Sequence, residues 1–452
     1  MRAYIITDLG FGDGGKGILT DFLVRQFNAN VVVRYNGGAQ AGHNVVTGDG
    51  RQHTFSQFGS GSFVPGVKTY LSRYVIVHPS ALLVEGTILE RKGIRDAFAR
   101  IRVSDQALII TPFHQAANHI RELARGEHRH GSCGVGVGEA VEDALMNRDD
   151  SVLAGDLANP PALRRKLERI RERKRAQLIS FGLKHPKSET FSNEWQVFEG
   201  DDVLETWIST IARITELGLI SSDAVLQNWL RQSECVVFEG AQGVLLDQDV
   251  GFHPYTTWSR CTDANAFDLL KEMAVDAQIH KIGVMRSYAV RHGPGPLPTE
   301  TDQINMLVNE HNTRNEWQGS VRYGWFDAVL ARYALSHLGK LDSLAVTHMD
   351  IVPQLKTWQY CTAYQSHEIK DFLCPADSPK NDVKNPLFTH TLSLSQRTAF
   401  TQALFTARPV LESCDAEMDK VLQVMASQLG KSVDIISTGP SAENVRMIKS
   451  IL

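Results

Sequence analysis

The segment Ile5-Ile6-Thr7-Asp8-Leu9-Gly10-Phe11-Gly12-Asp13-Gly14-Gly15-Lys16-Gly17 decides the fold of this chain. A short apolar strand runs into a glycine-rich loop and then into the helical pattern Ile18-Leu19-Thr20-Asp21-Phe22-Leu23. Because glycine has no Cβ, the backbone N–H groups of such a loop can turn inward around a phosphate at a helix N-terminus. The loop fits the phosphate-binding pattern G-x-x-x-x-G-K, which makes candidate phosphate ligands of Gly12, Gly14, Gly15, Lys16 and Gly17.

One position departs from this pattern. Gly17 stands where a phosphate-binding loop usually carries the Ser or Thr that holds Mg²⁺. Asp13 is the candidate for that role, because a carboxylate facing phosphates is repelled unless a cation lies between them or the carboxylate accepts a proton. Both interpretations give Asp13 a part in the chemistry.

The same loop also fits G-x-G-x-x-G, from Gly10 to Gly15, which is the pattern of a dinucleotide-binding fold. That fold places an acid about 20 residues further on, at the end of its second strand. The second predicted strand here, 31–35, contains no acid, and after Asp21 the next one is Asp49. Arg34 could bind a 2′-phosphate, so a dinucleotide-binding fold stays open as an alternative. A glycine-rich loop that only forms a turn stays open as well.

The composition limits the class of protein. The chain has 452 residues, of which 42% are hydrophobic and 22% charged, so it can bury a large core. Its net charge of −4 gives no reason to expect nucleic acid or an anionic membrane as a partner. No apolar run approaches the length of a membrane span, and the chain begins directly with a strand, so we predict a cytoplasmic protein. Six cysteines without C-x-x-C spacing predict reduced thiols, and His128 and His130 lack partners at the spacing of a zinc site.

Short apolar strands alternate with helical stretches, which predicts an α/β fold with a large, mostly parallel central sheet covered by helices. Besides the first two strands, we predict strands at 107–110, 235–238, 282–285, 343–346 and 433–436. Most of them end in a glycine-rich or polar segment, and ligands of open α/β sheets bind at the carboxyl ends of the strands. We therefore expect a single catalytic domain over residues 1–452, with surface insertions at about 160–200 and 376–395.

Several motifs in a fixed order resemble the adenylosuccinate synthetase family. The first loop resembles the family's Gly-Asp-Glu-Gly-Lys-Gly, with Gly14 in place of Glu, and residues 40–44 resemble Asn-Ala-Gly-His-Thr. Residues 131–138 follow Gly-Thr-Thr-Gly-Arg-Gly-Ile-Gly, and further close matches lie at 238–243, 254–257, 324–325 and 435–440. The resemblance runs from Met1 to about Pro440, and this many collinear motifs are a specific signal.

The resemblance implies a ligase that joins IMP to L-aspartate through a 6-phosphoryl intermediate, with GTP as co-substrate and Mg²⁺ as cofactor. It implies that Asp13 removes the N1 proton and ligates Mg²⁺, with the Gly42 carbonyl as a second ligand. His43 would stabilise the charge that moves between the γ-phosphoryl group and O6. Lys16 would neutralise phosphate charge, and Gln242 would hold N1 and O6 of the base.

Further positions are implied as substrate ligands. The GTP site would add to the loop glycines the residues His348, Asp350, Ser437, Thr438 and Gly439. The IMP site would combine Asp13, Gln40, Ser132, Cys133, Arg148, Gln242 and Thr257. Arg148 falls near the family's arginine that reaches into the neighbouring subunit's site, but the spacing there differs by two residues. A homodimer is therefore implied by the resemblance alone.

Three specificity segments depart from the family. Its aspartate loop, roughly Thr-Thr-Gly-Arg-x-Arg-Arg, corresponds here to 316–323, where Arg322 alone survives as the predicted amino-donor ligand. Arginine binds carboxylates bidentately, so this loss should weaken the binding of a dicarboxylate. The base-reading segment Thr-Lys-Leu-Asp is replaced by Thr-His-Met-Asp at 347–350, and Gln40 replaces Asn.

These departures leave alternatives open. One is a related ligase that uses another 6-oxopurine nucleotide or another amino donor. Phage relatives that convert dGMP are such a case, but they replace the catalytic Asp with a small hydroxyl residue, so Asp13 argues against that group. The other is a non-catalytic purine-nucleotide-binding protein, against which the presence of Asp13, Lys16 and His43 argues.

Overall fold

Helices and strands alternate along the chain, as a computed structural model describes for residues 1–126, 131–183, 188–308, 317–366, 368–375, 383–386 and 392–450. His128, His130, Glu316 and most of the predicted insertion at 376–395 lie outside these residues. The helices are α1 (Lys16–Phe27), α2 (Pro79–Arg91), α3 (Pro112–Arg125), α4 (Val137–Met146), α5 (Pro160–Ser180), α6 (Glu189–Glu199), α7 (Val203–Glu216), α8 (Asp223–Arg231), α9 (Ala264–Glu272), α10 (Asp302–Asn305), α11 (Ala328–Leu338), α12 (Leu394–Thr406) and α13 (Met418–Leu429).

The strands range from two to nine residues in length. They are β1 (Arg2–Asp8), β2 (Val31–Arg34), β3 (His43–Val46), β4 (Gln52–Phe55), β5 (Lys68–Leu71), β6 (Ile76–Val77), β7 (Ile101–Ser104), β8 (Leu108–Ile109), β9 (Ile220–Ser221), β10 (Cys235–Glu239), β11 (Gln278–Arg286), β12 (Ala289–His292), β13 (Val321–Gly324), β14 (Phe326–Asp327), β15 (Ser343–Thr347), β16 (Thr357–Gln365), β17 (Leu373–Pro375), β18 (Val383–Pro386), β19 (Arg408–Asp415), β20 (Val433–Ser437) and β21 (Val445–Met447).

A large central sheet dominates the described residues. Its ten strands follow the order β21-β20-β15-β11-β1-β10-β2-β5-β7-β9, and every neighbouring pair is parallel except β20 and β21. This confirms the predicted fold class. The strand predicted at 107–110 lies elsewhere, since β8 pairs with β6 in a separate two-stranded sheet.

The central sheet is buried on both faces, which explains its apolar strands. Alternate residues of β1 point to opposite faces. Tyr4 and Ile6 belong to the hydrophobic cluster that includes residues of α1, and Ala3 and Ile5 belong to the cluster that includes residues of α8 and α9. Both clusters consist of residues with little or no exposed surface, so β1 is fixed at the centre of the molecule.

Smaller sheets and a helical region surround this core. β12 pairs antiparallel with β13, β3 pairs with β4, and β16 is the centre of a second sheet that also contains β14, β17, β18 and β19. Helices α5 and α6, within the predicted insertion at 160–200, bury Leu167, Ile170, Phe191 and Trp195 in one cluster with residues of α3. The single domain and both insertions stay predictions.

Two further properties concern the described residues. None of their helices is long and apolar enough to cross a membrane. Five of their cysteines, Cys133, Cys235, Cys261, Cys361 and Cys414, are free thiols.

The topology brings polar residues together at one edge of the central sheet. Strands β20, β15, β11, β1, β10 and β2 are consecutive neighbours and parallel, so their carboxyl ends lie side by side. These ends carry Asp8, Arg34, Glu239, Thr347 and Ser437, all buried. The loops that follow hold most of the predicted site residues.

Candidate active site

The loop between β1 and α1 has the backbone of an anion-binding site. Gly12, Asp13 and Gly15 have φ values of 91°, 57° and 94°, in the left-handed region that favours glycine. Asp13 is a non-glycine residue in this conformation, which is uncommon and typical of functional loops. The loop turns directly into the N-terminus of α1, where the helix dipole favours negative charge.

The position of β3 explains why a hydroxyl residue is missing after Lys16. A Cβ atom on Gly17 would lie 3.0 Å from both the carbonyl oxygen of Asn44 and the Cβ of His43. A Ser or Thr at this position would therefore push against backbone atoms, not against the mobile end of a side chain. The close approach of β3 therefore leaves little room for a side chain at position 17.

Lys16 is held by a residue that sequence reasoning missed. Its Nζ lies 2.7 Å from Oδ2 of Asp8, and both side chains are almost completely buried. Asp8 also accepts hydrogen bonds from the backbone N–H groups of Gly10 and Gly14, at 2.8 and 2.7 Å. A buried carboxylate therefore lies inside the phosphate-binding loop.

Asp13 contacts His292, which is the last residue of β12. Nε2 of His292 lies 2.5 Å from Oδ2 of Asp13, and Nε of Arg286 donates to the backbone carbonyl of Asp13 at 2.5 Å. Burial alone would raise the pKa of Asp13, but the hydrogen bond and charge of His292 outweigh it. With the charges of Arg286 and Lys16, they hold the pKa of this carboxyl well below its usual range.

His43 and Glu239 form a buried pair. Nδ1 of His43 lies 2.5 Å from Oε1 of Glu239, whose carboxylate also accepts from the backbone N–H of Ser60 at 3.0 Å and from the Ser60 hydroxyl. The β10–β2 register places Glu239 beside Arg34. The hydrogen bond to Nδ1 leaves Nε2 of His43 as the ring nitrogen available to a ligand.

The electrostatics of this pair follow from burial and from Arg34. Burial lowers the pKa of His43 to about 4, and the charge of Arg34 acts in the same direction while Glu239 opposes it. For Glu239, burial would raise the pKa, but Arg34 and His43 together lower it to about 2. Glu239 is therefore an anion at neutral pH, and it favours the form of His43 that carries protons on both ring nitrogens.

Three predicted site residues carry buried polar atoms that have no hydrogen-bond partner among the described residues. These atoms are Nε2 of His43, Oε1 of Gln40 and Nε2 of Gln242. The side chains of Gln40 and Gln242 lie against neighbouring glycines, because a Cβ on Gly38 would be 2.8 Å from Oε1 of Gln40 and one on Gly37 would be 2.9 Å from Oε1 of Gln242. Buried polar groups are nearly always paired in native proteins, so these three atoms are free to pair with a polar ligand.

The loop before α4 is a second candidate phosphate site. Gly131, Gly134 and Gly136 have positive φ values of 74°, 72° and 91°. The Ser132 hydroxyl donates to Oδ1 of Asn118 at 3.1 Å, and burial together with the charge of Asp13 raises the pKa of the Cys133 thiol to about 12. Asp13 thus lies close enough to Cys133 for its charge to act on the thiol.

Two other predicted IMP ligands lie in different surroundings. The backbone N–H of Thr257 donates to the carbonyl of Leu246 at 2.8 Å, and its side chain is half-buried. Arg148 lies in the 3₁₀ turn after α4 and is exposed. No hydrogen bond or ion pair within the described residues joins Arg148 to the other site residues.

The predicted base-reading residues follow β15 and β20. His348 has a φ of 56°, its Nδ1 lies 2.9 Å from the Thr347 hydroxyl, and its ring packs edge-on against Tyr288 at 5.8 Å. Asp350 is exposed. Since β15 and β20 are neighbours, Ser437, Thr438 and Gly439 emerge beside the segment 347–350.

Arg322, the predicted amino-donor ligand, is engaged within the protein. Its guanidinium donates to the carbonyls of Gly293 and Gly295 and forms a 2.7 Å ion pair with Glu300. Trp317, in the same altered loop, stacks on His119 with the ring centroids 3.9 Å apart. The role of Arg322 as a carboxylate ligand stays a prediction, and the contacts give it a second role in bracing the turn 293–295.

The comparisons with known proteins decide the family. A sequence profile of the adenylosuccinate synthetase family matches residues 5–446. Adenylosuccinate synthetase of Pseudomonas fluorescens (strain Pf0-1) is 30% identical over 450 residues, which cover 98% of each chain. The chain belongs to the adenylosuccinate synthetase family. The enzyme of Ectopseudomonas mendocina (strain ymp) is likewise 30% identical over 449 residues, again 98% of each chain.

Solved structures agree with this assignment at the level of the fold. Fully ligated adenylosuccinate synthetase from Plasmodium falciparum matches with a TM-score of 0.76 and 18% identity, over 99% of this chain and 100% of that one. Cyanophage S-2L succinoaminodeoxyadenylate synthetase, bound to dGMP and dATP as an energy donor, matches with a TM-score of 0.59 and 18% identity, over 100% and 96%. The resemblance and fold class predicted from the sequence are confirmed, and the chain is a ligase of the adenylosuccinate synthase type.

Adenylosuccinate synthetase motifs had pointed to the loops of this site but not to their supporting residues. Asp8, Glu239 and His292 contact predicted site residues directly, and Ser60 acts through Glu239, yet none of the four is among the predicted site residues. One signal was present for Asp8 and Glu239, since each is a carboxylate at the end of an otherwise apolar strand. His292 carried no comparable signal, because its contact with Asp13 joins residues 279 positions apart.

Proposed function

We propose that this enzyme joins IMP to L-aspartate, with GTP and Mg²⁺, to form adenylosuccinate through a 6-phosphoryl intermediate. The observation that carries the proposal is the set of unpaired buried atoms on His43 and Gln242, which lie beside the phosphate-binding loop, and on Gln40, which lies against Gly38. A 6-oxopurine offers a donor at N1 and an acceptor at O6, which the paired acceptor and donor of the Gln242 amide complement. Family membership over the whole chain supports the same assignment.

Asp13 acts as the base of the first step. The oxygen at C6 of the purine is a poor leaving group, so it must first be phosphorylated. Asp13 accepts the N1 proton while O6 attacks the γ-phosphorus of GTP. A carboxyl with a depressed pKa is a weak base. It suffices because phosphorylation of O6 makes the N1 proton steadily more acidic.

His43 stabilises the charge that moves in this step. Its Nε2 faces the developing charge on the γ-phosphoryl oxygens and O6, while Glu239 fixes the ring through Nδ1. With its low pKa the ring is neutral in the free enzyme at pH 7, so His43 gains its proton on Nε2 when the triphosphate binds, a change that the negative charges of Glu239 and of the phosphates favour. In the second step the amino group of aspartate displaces phosphate from C6.

Mg²⁺ fits the oxygen ligands present. No group of three or more His, Cys, Asp or Glu side chains in the described residues could hold a metal by itself. Mg²⁺ commonly needs only one or two protein oxygens beside substrate phosphates and water. Asp13 offers a carboxylate oxygen besides the one that contacts His292, and the exposed Gly42 offers its carbonyl. The ion would neutralise phosphate charge during transfer.

The remaining residues bind and orient the substrates. Gly12, Gly15, Lys16 and Gly17 hold the phosphates of GTP, and Gly14, whose backbone N–H donates to Asp8, shapes the loop between them. The base of GTP lies against His348, Asp350 and the segment 437–439. Ser132, Cys133 and Thr257 hold the 5′-phosphate of IMP. The raised pKa of the Cys133 thiol keeps this side chain neutral, so it can donate a hydrogen bond to the phosphate. We further propose that the enzyme is a cytoplasmic homodimer in which Arg148 reaches the partner's site.

A second candidate is a related ligase with a different amino donor. It is favoured by the contacts of Arg322, whose donors are already shared among Gly293, Gly295 and Glu300. A dicarboxylate would have to compete with these acceptors, or be held by another group. The first-step residues Asp13, His43 and Lys16 serve both candidates equally.

A turnover screen distinguishes the candidates. Purine nucleotides (IMP, GMP, dGMP) are combined with a panel of amino acids and with GTP or ATP, and phosphate release and product mass are measured. IMP, aspartate and GTP should give the highest kcat/KM. Turnover of another amino acid in preference to aspartate would favour the second candidate, and the Asp13→Ala variant, which should be inactive, controls for contaminating activity.

A further inference from the structure

The carboxylate of Asp8 lies against the loop position at which the family motif has a glutamate. The family's Gly-Asp-Glu-Gly-Lys-Gly has its Glu at position 14, which is Gly14 here. A Cβ on Gly14 would lie 2.6 Å from Oδ2 and 2.9 Å from Cγ of Asp8. The two positions therefore compete for one space, and in this chain Asp8 fills it from the end of β1.

Space, and not backbone conformation, makes glycine necessary at position 14. Gly14 is absent from the residues with positive φ, in contrast to Gly12 and Gly15 on either side of it. Its backbone would accept a side chain if the carboxylate of Asp8 were removed. The carboxylate of Asp8 and a side chain at position 14 therefore exclude each other.

The contacts of Asp8 are with the donors that a phosphate-binding loop uses. It accepts from Gly10 N–H, from Gly14 N–H and from Nζ of Lys16, all between 2.7 and 2.8 Å. An ammonium group has three N–H donors, and Asp8 takes one, which leaves two for phosphate oxygens. Lys16 is therefore fixed in direction while it can still bind phosphate.

We propose that Asp8 is a positioning residue for triphosphate binding, which takes over from the family's glutamate at position 14 and orients Lys16. The proposal rests on the proposed function, in which the loop holds the phosphates of GTP. It assigns no contact between Asp8 and the substrate. Asp8 acts through Lys16 and the loop.

The test uses three variants of the full-length enzyme: Asp8→Ala, Gly14→Glu and the double variant. Asp8→Ala frees Lys16 and should raise the KM for GTP about ten- to a hundredfold, the loss expected for a charge-assisted pair, with a smaller effect on the KM for IMP. Gly14→Glu alone forces a side chain against the carboxylate of Asp8 and should lose activity. The double variant restores a single carboxylate, so its kcat/KM should be at least tenfold higher than that of Asp8→Ala.

A matched control separates this role from general stability. Asp434 is a buried carboxylate near the start of β20, at the opposite end of the sheet from the loop, and it accepts from the Leu344 N–H at 3.3 Å. Asp434→Ala should lower the melting temperature without changing the KM for GTP. Melting temperatures of all variants, with and without GDP, show which ones are folded and bind nucleotide.

The outcomes separate the inference from the function on which it rests. Wild-type KM for GTP in a folded Asp8→Ala variant would overturn the positioning role, as would a folded double variant that is no better than Asp8→Ala. Failure of the wild-type enzyme to bind or consume either GTP or ATP would instead overturn the proposed function. Recovery in the double variant, which a merely structural role would not produce, supports the exchange.

Discussion

Replacement of Glu239 by glutamine tests the proposed role of the buried pair. The change keeps the size of the side chain but removes the charge that holds Nδ1 of His43. His43 already has a pKa of about 4 because of burial and Arg34, and Glu239 is the group that raises it. Without this charge the doubly protonated ring becomes less accessible, so we expect a weaker donor at Nε2.

The size of the effect follows from the strength of the contact. A hydrogen bond to a charged group contributes about 1.5–3 kcal/mol, and about 1.4 kcal/mol corresponds to a tenfold change in rate. Glu239→Gln should therefore lower kcat about ten- to a hundredfold. The KM values for both nucleotides should change much less, because the interaction strengthens in the transition state.

The assay is steady-state phosphate release at saturating substrates, with melting temperature measured alongside. Ser60→Ala is the matched control, since it removes one hydroxyl donor to Glu239 but leaves the contact with His43 in place. It should lower stability with little effect on kcat. A folded Glu239→Gln variant with wild-type kcat, or one that loses binding and rate equally, would refute the reasoning.

The remaining predictions concern specificity and pH. Arg322→Leu should raise the KM for the amino donor about ten- to a hundredfold; an unchanged KM with a lowered melting temperature would show that Arg322 only braces the turn. Asp350→Asn should reduce the preference for GTP over ATP in kcat/KM, because an amide can donate to adenine N1 whereas a carboxylate cannot; a wild-type preference for ATP would contradict this. Burial raises the pKa of Asp327 from 3.8 to about 6, so the folded state holds a proton that the unfolded state has lost between these values, and stability falls as the pH rises through them. The free energy of unfolding of Asp327→Asn, relative to that of wild type, should therefore rise by up to about 3 kcal/mol between pH 4 and pH 7. If this relative free energy is the same at both pH values, Asp327 does not titrate in this range.

Local patterns in the sequence predicted the centre of the fold well. Apolar runs such as Val31–Arg34 and Cys235–Glu239 became buried parallel strands, because a sheet covered on both faces requires apolar residues at every position. The strand at 68–71 was missed, since Lys and Thr interrupt its apolar pattern although three of its four residues are buried. The strand predicted at 107–110 was wrongly assigned to the central sheet, because pairing partners are set by tertiary contacts.

The candidate site was predictable where it depends on the loop motifs and not where it depends on long-range contacts. Asp13 and His43 were found because their types and spacing belong to a recognisable loop chemistry. The contact of His292 with Asp13, and the exchange between Asp8 and Gly14, depend on which side chain fills a space in the folded protein. No local pattern records such a choice.

The formation of the phosphoryl intermediate is tested most directly by positional isotope exchange in GTP. GTP labelled with ¹⁸O at the β–γ bridge is incubated with the enzyme, Mg²⁺ and IMP in the absence of any amino donor. The account predicts that the label moves to non-bridging β-phosphate positions when IMP is present, and that neither Asp13→Ala nor a reaction without IMP shows this exchange. Absence of exchange in a wild-type enzyme that turns over with aspartate present would contradict phosphorylation of O6 as a separate first step.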